Sequence, residues 1–315
     1  MNPRRPACAF CVLLVAALWA TASVAEEKPG DLLRFGFFPP MGEDIVYLVE
    51  HHHVLDFRGR QKVTEWSHEL TLRLTGKEPP DMLAGTFSMR AVKAGPGVET
   101  DMTYMFARAI EGESFSFRMV QAGAPVEIDW PAVKRRILER LPTLTDPETA
   151  ALMERVMPVF DPDGVAAVMR PLWVSSVAYL RGFRRDGQVT VAEDVNVPAW
   201  FPVPGARLEV HGGREEGTPD MLFIWRLTAD PKAAAQTLGS ELAGLAAQAA
   251  GPGEADTTWA EVEAAVARGV TAVEGGFATY SLKPGMLRAV EFEARFGAGD
   301  ISRRVQFQIT RVKPE

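Results

Sequence analysis

Three of the five histidines in this chain stand in a row, His51, His52 and His53, and a fourth, His68, follows in the next apolar run. Along a strand, successive side chains alternate faces, so His51 and His53 share a side with Tyr47, Val49, Leu55 and Phe57 while His52 points away. Trp66, Leu70, Leu72 and Leu74 recur at even spacing, and His68 falls in that series. A tight turn at Arg58, Gly59 and Arg60 would set His68 opposite or diagonal to His51, so that three imidazoles converge across one strand pair. Two histidines on one strand and a third on its neighbour can hold zinc through three ligands and keep a fourth position for water. His51, His53 and His68 are therefore candidate metal ligands, with zinc the cofactor such a site would take. The same spacing also fits half-buried strand histidines, each satisfied by one hydrogen bond, and no acidic residue that would orient a ligating ring is identifiable. His211, in a His-Gly-Gly stretch, reads as a surface turn residue.

Other chemistry is thinner. Paired carboxylates can serve a glycosidase as acid and base or nucleophile. Glu111 with Glu113 and Glu215 with Glu216 nevertheless sit between glycines, where solvated turns are expected. The chain has no phosphate-binding loop, dinucleotide fingerprint, Gly-x-Ser-x-Gly elbow or His-Glu-x-x-His helix. Two apolar series, Phe115, Phe117, Met119 and Met102, Tyr104, Phe106, alternate as strands do. They read as core, and a curved sheet left partly uncovered would make Phe115, Phe117, Met119, Tyr104 and Phe106 candidate lining for an apolar ligand.

The elements that must position these residues begin with a strand from Ile45 to Phe57 and a second through Trp66 to Leu74, paired as a hairpin. Alternation continues through Phe87, Met89 and Ala91, through Met102 to Phe106, and through Phe115 to Met119, giving a meander. Asp129 and Pro131 then open a helix ending at Pro142. Further helix starts near Thr145 and Asp163 complete a helical insert at about 129–172. Strands return at Asp186 to Val197, at Leu208 and Val210, and at Leu222 to Leu227. Asp230 caps a long Ala-rich helix, and Thr258 with Glu261 stands at capping-box spacing before another. The end is a meander: Phe277 to Leu282, Val290 to Phe296, and Val305 to Ile309. This order predicts an α+β fold, a large curved antiparallel sheet with two groups of helices packed on it. We read 26–315 as one β-rich domain, with two subdomains split near 182 as the alternative.

The N-terminus reads as a secretory signal peptide over 1–25: Arg4 and Arg5, an apolar run from Ala7 to Trp19, and small residues before a cleavage point after Ala25. Both cysteines, Cys8 and Cys11, lie in that run, so the mature chain offers no disulfide or thiol chemistry. The run is too short for a membrane anchor, and no transmembrane segment is expected in the mature form. The whole chain carries a net charge of -7. Removing Arg4 and Arg5, the only charges before Glu26, takes the mature form further from neutrality, which argues against nucleic acid as a partner.

The order of signal peptide, meander, helical insert, Asp186-Gly187-Gln188-Val189 turn, Trp200-Phe201-Pro202 stretch, long helix and terminal hairpins resembles bacterial exported families of unknown function. Their sheets resemble the half-barrel of periplasmic lipoprotein carriers. The resemblance implies a sheet curved around a helix-covered apolar cavity able to hold an acyl chain or a partner segment, and a periplasmic or secreted location. The leading expectation is a non-enzymatic protein binding a lipid, another apolar ligand or an envelope protein on its concave face. The alternatives are an assembly factor acting through exposed sheet edges, and a metal-dependent hydrolase built on His51, His53 and His68.

Overall fold

The structure, a computed structural model, describes residues 32–33, 38–78, 82–98, 101–120, 125–147, 168–176, 183–184, 190–192, 203–214, 220–250, 255–281 and 285–312, with a few positions between 150 and 164. The expected signal peptide, the Asp186–Val189 turn, the Trp200–Pro202 stretch and most of the second and third insert helices lie outside the described residues.

Alternation does what the sequence demands of it. In β2 (Asp44–Phe57), Ile45, Tyr47 and Val49 are buried, Val46 and Leu48 are half-buried, and Glu50 is exposed. β3 (Arg60–Glu78), β4 (Met82–Ala94) and β5 (Ser114–Val120) continue the meander, and β6 (Pro125–Ile128) closes that side. From the other end, β13 (Ile301–Val312), β12 (Leu287–Ala298), β11 (Thr271–Ser281), β10 (Asp220–Thr228), β9 (Arg207–Arg214) and β8 (Thr190–Ala192) form a second run. The two runs join where β2 pairs with β13, giving, among the described residues, one open sheet of eleven antiparallel strands in the order β6-β5-β4-β3-β2-β13-β12-β11-β10-β9-β8. A two-stranded piece pairs β1 (Leu32–Leu33) with β7 (Phe183–Arg184). The fold is α+β, as the order of elements predicts.

Five described helices accompany the sheet: α1 (Met102–Ile110), α2 (Trp130–Leu144), α3 (Arg170–Ser175), α4 (Pro231–Ala250) and α5 (Ala255–Val266). α1 lies on β4 and packs against α2, while α4 and α5 pack together against β11, β12 and β13. α3 is the informative one. It touches both β6 and β13, which are separated by four intervening strands. At a strand spacing of about 4.8 Å those two lie roughly 24 Å apart along the sheet, whereas a six-residue helix is about 9 Å long. The sheet therefore curls around α3. The hydroxyl of Tyr280 on β11, farther round the curve, donates to the carbonyl oxygen of Ser175 at 2.9 Å.

Four local expectations are corrected. Met102, Tyr104 and Phe106 belong to a helix and not a strand, because Asp101 caps its N-terminus, accepting from the Tyr104 N–H at 3.0 Å, and Met105, Phe106, Ala109 and Ile110 then bury one stripe. α2 runs two residues past Pro142, which lies inside its last turn. Thr258 is buried inside α5 and caps nothing, the helix having begun at Ala255. His211 sits within β9, opposite Ile224, and not in a turn.

Candidate functional site

The β2–β3 hairpin turns through Arg58 and Gly59, both at positive φ (50° and 73°), the two-residue geometry that matches the natural strand twist. This tight turn pairs His51 with Trp66, Val49 with His68 and His53 with Thr64, so His68 is diagonal to His51. His51, His53 and His68 all point inward at 3%, 6% and 3% exposure. His52 points outward, its ring 3.5 Å from Glu65. A β-bulge between Ser67 and His68, where Val92 is the extra residue of β4, lies directly at the cluster.

The rings form a stack. His51 lies face to face with Trp66, centroids 3.9 Å apart and planes 5° from parallel. His68 follows at 5.3 Å from His51 and 5.1 Å from Trp66. His53 meets His51 edge-on at 5.7 Å, and Tyr104 meets Trp66 edge-on at 5.6 Å. His53 Nδ1 donates to Asp101 Oδ2 at 2.8 Å, so one carboxylate both caps α1 and orients an imidazole. Asp101 is not legible as this acidic partner while Met102 to Phe106 are taken for a strand; only as the N-cap of a helix does it stand out.

Electrostatics follow from burial. Desolvation, aided by repulsion from His68 and His53, holds the His51 ring well below its usual pKa, and desolvation takes His68 down to about 3. At Asp101 burial raises the carboxyl, but the hydrogen bond and charge of His53, the Tyr104 N–H and Arg303 outweigh it and leave the group below its ordinary value. Both nitrogens of His51, Nδ1 of His68 and Nε1 of Trp66 are buried with no hydrogen-bond partner among the described residues. These three side chains line a cavity of about 10 Å³ together with Met89, Thr103, Phe106, Ala107, Val168 and Pro171. Among the described residues, no group of three or more His, Cys, Asp or Glu is placed to hold a metal ion.

The proposed lining residues divide between two places. Phe106 borders the histidine cavity, whereas Met119 borders a second cavity of about 20 Å³ with Ile45, Leu72, Leu172 and Tyr280. Phe115 and Phe117 pack on Phe87 in the buried core of the sheet's inner face, and Tyr104 is half-buried against Trp66. The two cavities meet α3 and its flanks at opposite ends: Val168 and Pro171 at the first, Leu172 and Ser176 at the second. Of the acidic pairs, Glu111 accepts from the Ala91 N–H and pairs with Arg108, and Glu113 pairs with Arg136. Glu215 and Glu216 lie outside the described residues.

No family model matches the chain, and no curated protein matches it. Among solved structures it is similar to lipovitellin, in a structure of lipid–protein interactions in lipovitellin, at a TM-score of 0.41 and 8% identity over 87% of this chain and 25% of that one. The chain thus spans a quarter of lipovitellin's length.

Proposed function

We propose that this is an exported, non-enzymatic protein that binds an apolar ligand on the concave face of its sheet, in the space occupied here by α3. The observation that carries the reading is the position of α3: a short helix, inside a curled apolar sheet, with a cavity at each end. Cavities of about 20 and 10 Å³ hold roughly one water each, far below the several hundred Å³ of a ligand pocket. Ligand must therefore replace the helix and not enter beside it, and withdrawal of α3 would join the two cavities into one channel walled by β2, β3 and β5. Such an exchange trades one apolar packing for another, which keeps its net cost small. In this reading residues 1–25 direct export and are removed.

The test is native mass spectrometry of the untagged mature protein, followed by Nile red binding. Co-purified lipid, or saturable dye binding displaced by lipid, is the expected result. A bare mass together with no saturable dye binding would overturn the reading.

A further inference from the structure

The reading above leaves the buried histidines without a task, and on it rests a more specific inference. We propose that the His51–Trp66–His68 stack is a seat for the polar end of the ligand, taking a neutral hydroxyl or carbonyl group at the end of a long apolar chain. Each of the three side chains is 3% exposed. Buried polar atoms are almost always paired, so four nitrogens with no partner among the described residues, on three side chains that line one cavity, are an unusual concentration of unused hydrogen-bonding capacity.

The complement of that capacity defines the ligand. A neutral imidazole offers one donor and one acceptor, and the Trp66 indole one donor. A hydroxyl, which donates once and accepts twice, can satisfy both kinds of group, and a carbonyl satisfies the donors. A carboxylate accepts only, leaving the imidazole acceptors bare and carrying its charge among walls formed by Met89, Phe106, Ala107, Val168 and Pro171, with the neutral Thr103 hydroxyl the one other polar side chain among the described lining residues. Among the described residues, no Lys or Arg lines the cavity to neutralise it. The cavity's size suits one oxygen-sized group, and Val168 and Pro171 put it at one end of α3. The tail would then follow the path of α3 toward Leu172 and the second cavity.

The experiment compares dodecan-1-ol with 1-chlorododecane, which has the same chain but no hydroxyl, as competitors of Nile red, using the mature protein and its His51→Leu and His68→Leu variants. One recovered hydrogen bond predicts about tenfold tighter binding of the alcohol to the unaltered protein, falling to near parity in both variants. Equal displacement by the two competitors, or an alcohol preference that survives both substitutions, overturns the seat while leaving apolar binding intact. Displacement by neither overturns both readings. Should a variant fail to fold, imidazole NMR signals of the unaltered protein decide the matter: the alcohol must shift His51 and His68 resonances more than the chloride does, and equal responses refute the seat.

Discussion

Acidification from about pH 8 to about pH 5 is expected to remove about 2 kcal/mol of stability through His68 alone. The ring is wholly buried, and desolvation lowers its pKa from 6.5 to about 3. In the unfolded chain the same ring takes up a proton near pH 6.5, so between that value and about 3 the unfolded state binds more protons than the folded one. Stability is then full above pH 6.5 and declines as pH falls through the window, at about 1.36 kcal/mol per pH unit. About 1.5 units below 6.5 gives the stated loss, a large share of a typical 5–15 kcal/mol fold. His51, lowered for the same reason, adds a loss of the same sign. Asp101 acts lower: its carboxyl is held below the ordinary 3.8, so its contribution is kept through this window and lost only in stronger acid. The assay is urea unfolding of the unaltered protein and of His68→Leu at both pH values. Groups other than His51, whose ring His68 repels, contribute equally to both proteins, so the variant should gain about 2 kcal/mol on the unaltered protein between the two conditions. Parallel stability profiles would refute the claim that His68 is buried and neutral.

Tyr280→Phe leaves the buried Ser175 carbonyl without its partner; a loss of about 1–3 kcal/mol by urea unfolding and faster Nile red uptake by stopped flow are expected. Gly59→Ala forces a side chain into the left-handed turn at φ 73°, where nothing else lies nearby, so calorimetry should show a loss of about 1–2 kcal/mol from backbone strain alone. Gly276→Ala would drive a Cβ into the Glu291 carbonyl oxygen and close on the Trp225 ring, and should give insoluble or unfolded protein. Gly213→Ala, in β9 with open space around it, should change stability by no more than about 0.5 kcal/mol.

Strands were legible wherever one face was apolar and the other polar. β2 and β3 were readable to the level of individual side chains, because a period of two leaves only one way to assign inward and outward positions once the turn is known. Met102 to Phe106 failed for a physical reason. Over five residues, alternation and a helical stripe select overlapping positions, and the deciding residues, the Asp101 cap before them and Ala109 and Ile110 after them, lay outside that window. β11 was read from Phe277 and in fact starts at Thr271. Its Gly275 and Gly276 look like a break in sequence, yet they sit against the backbones of β10 and β12, a closeness that only glycine permits. Asp101 and α3 became significant only through contacts between distant parts of the chain, which no local pattern carries.

The same topology bears on where binding can occur. An assembly factor working through sheet edges needs a long unpaired strand to offer. Among the described residues, the outermost strands of this sheet are β6, four residues beginning with Pro125, and β8, three residues. The long strands lie at the centre instead, where β3 has 19 residues and β2 has 14, and their inner faces carry the histidine stack and line both cavities. These central strands are paired on both sides, so they offer no backbone edge, and the side chains that line the cavities are reached from the concave face. In the proposed reading, binding there requires α3 to yield, so a cross-link that fixes α3 to the sheet should abolish dye binding, whereas an edge-binding protein would keep its partner.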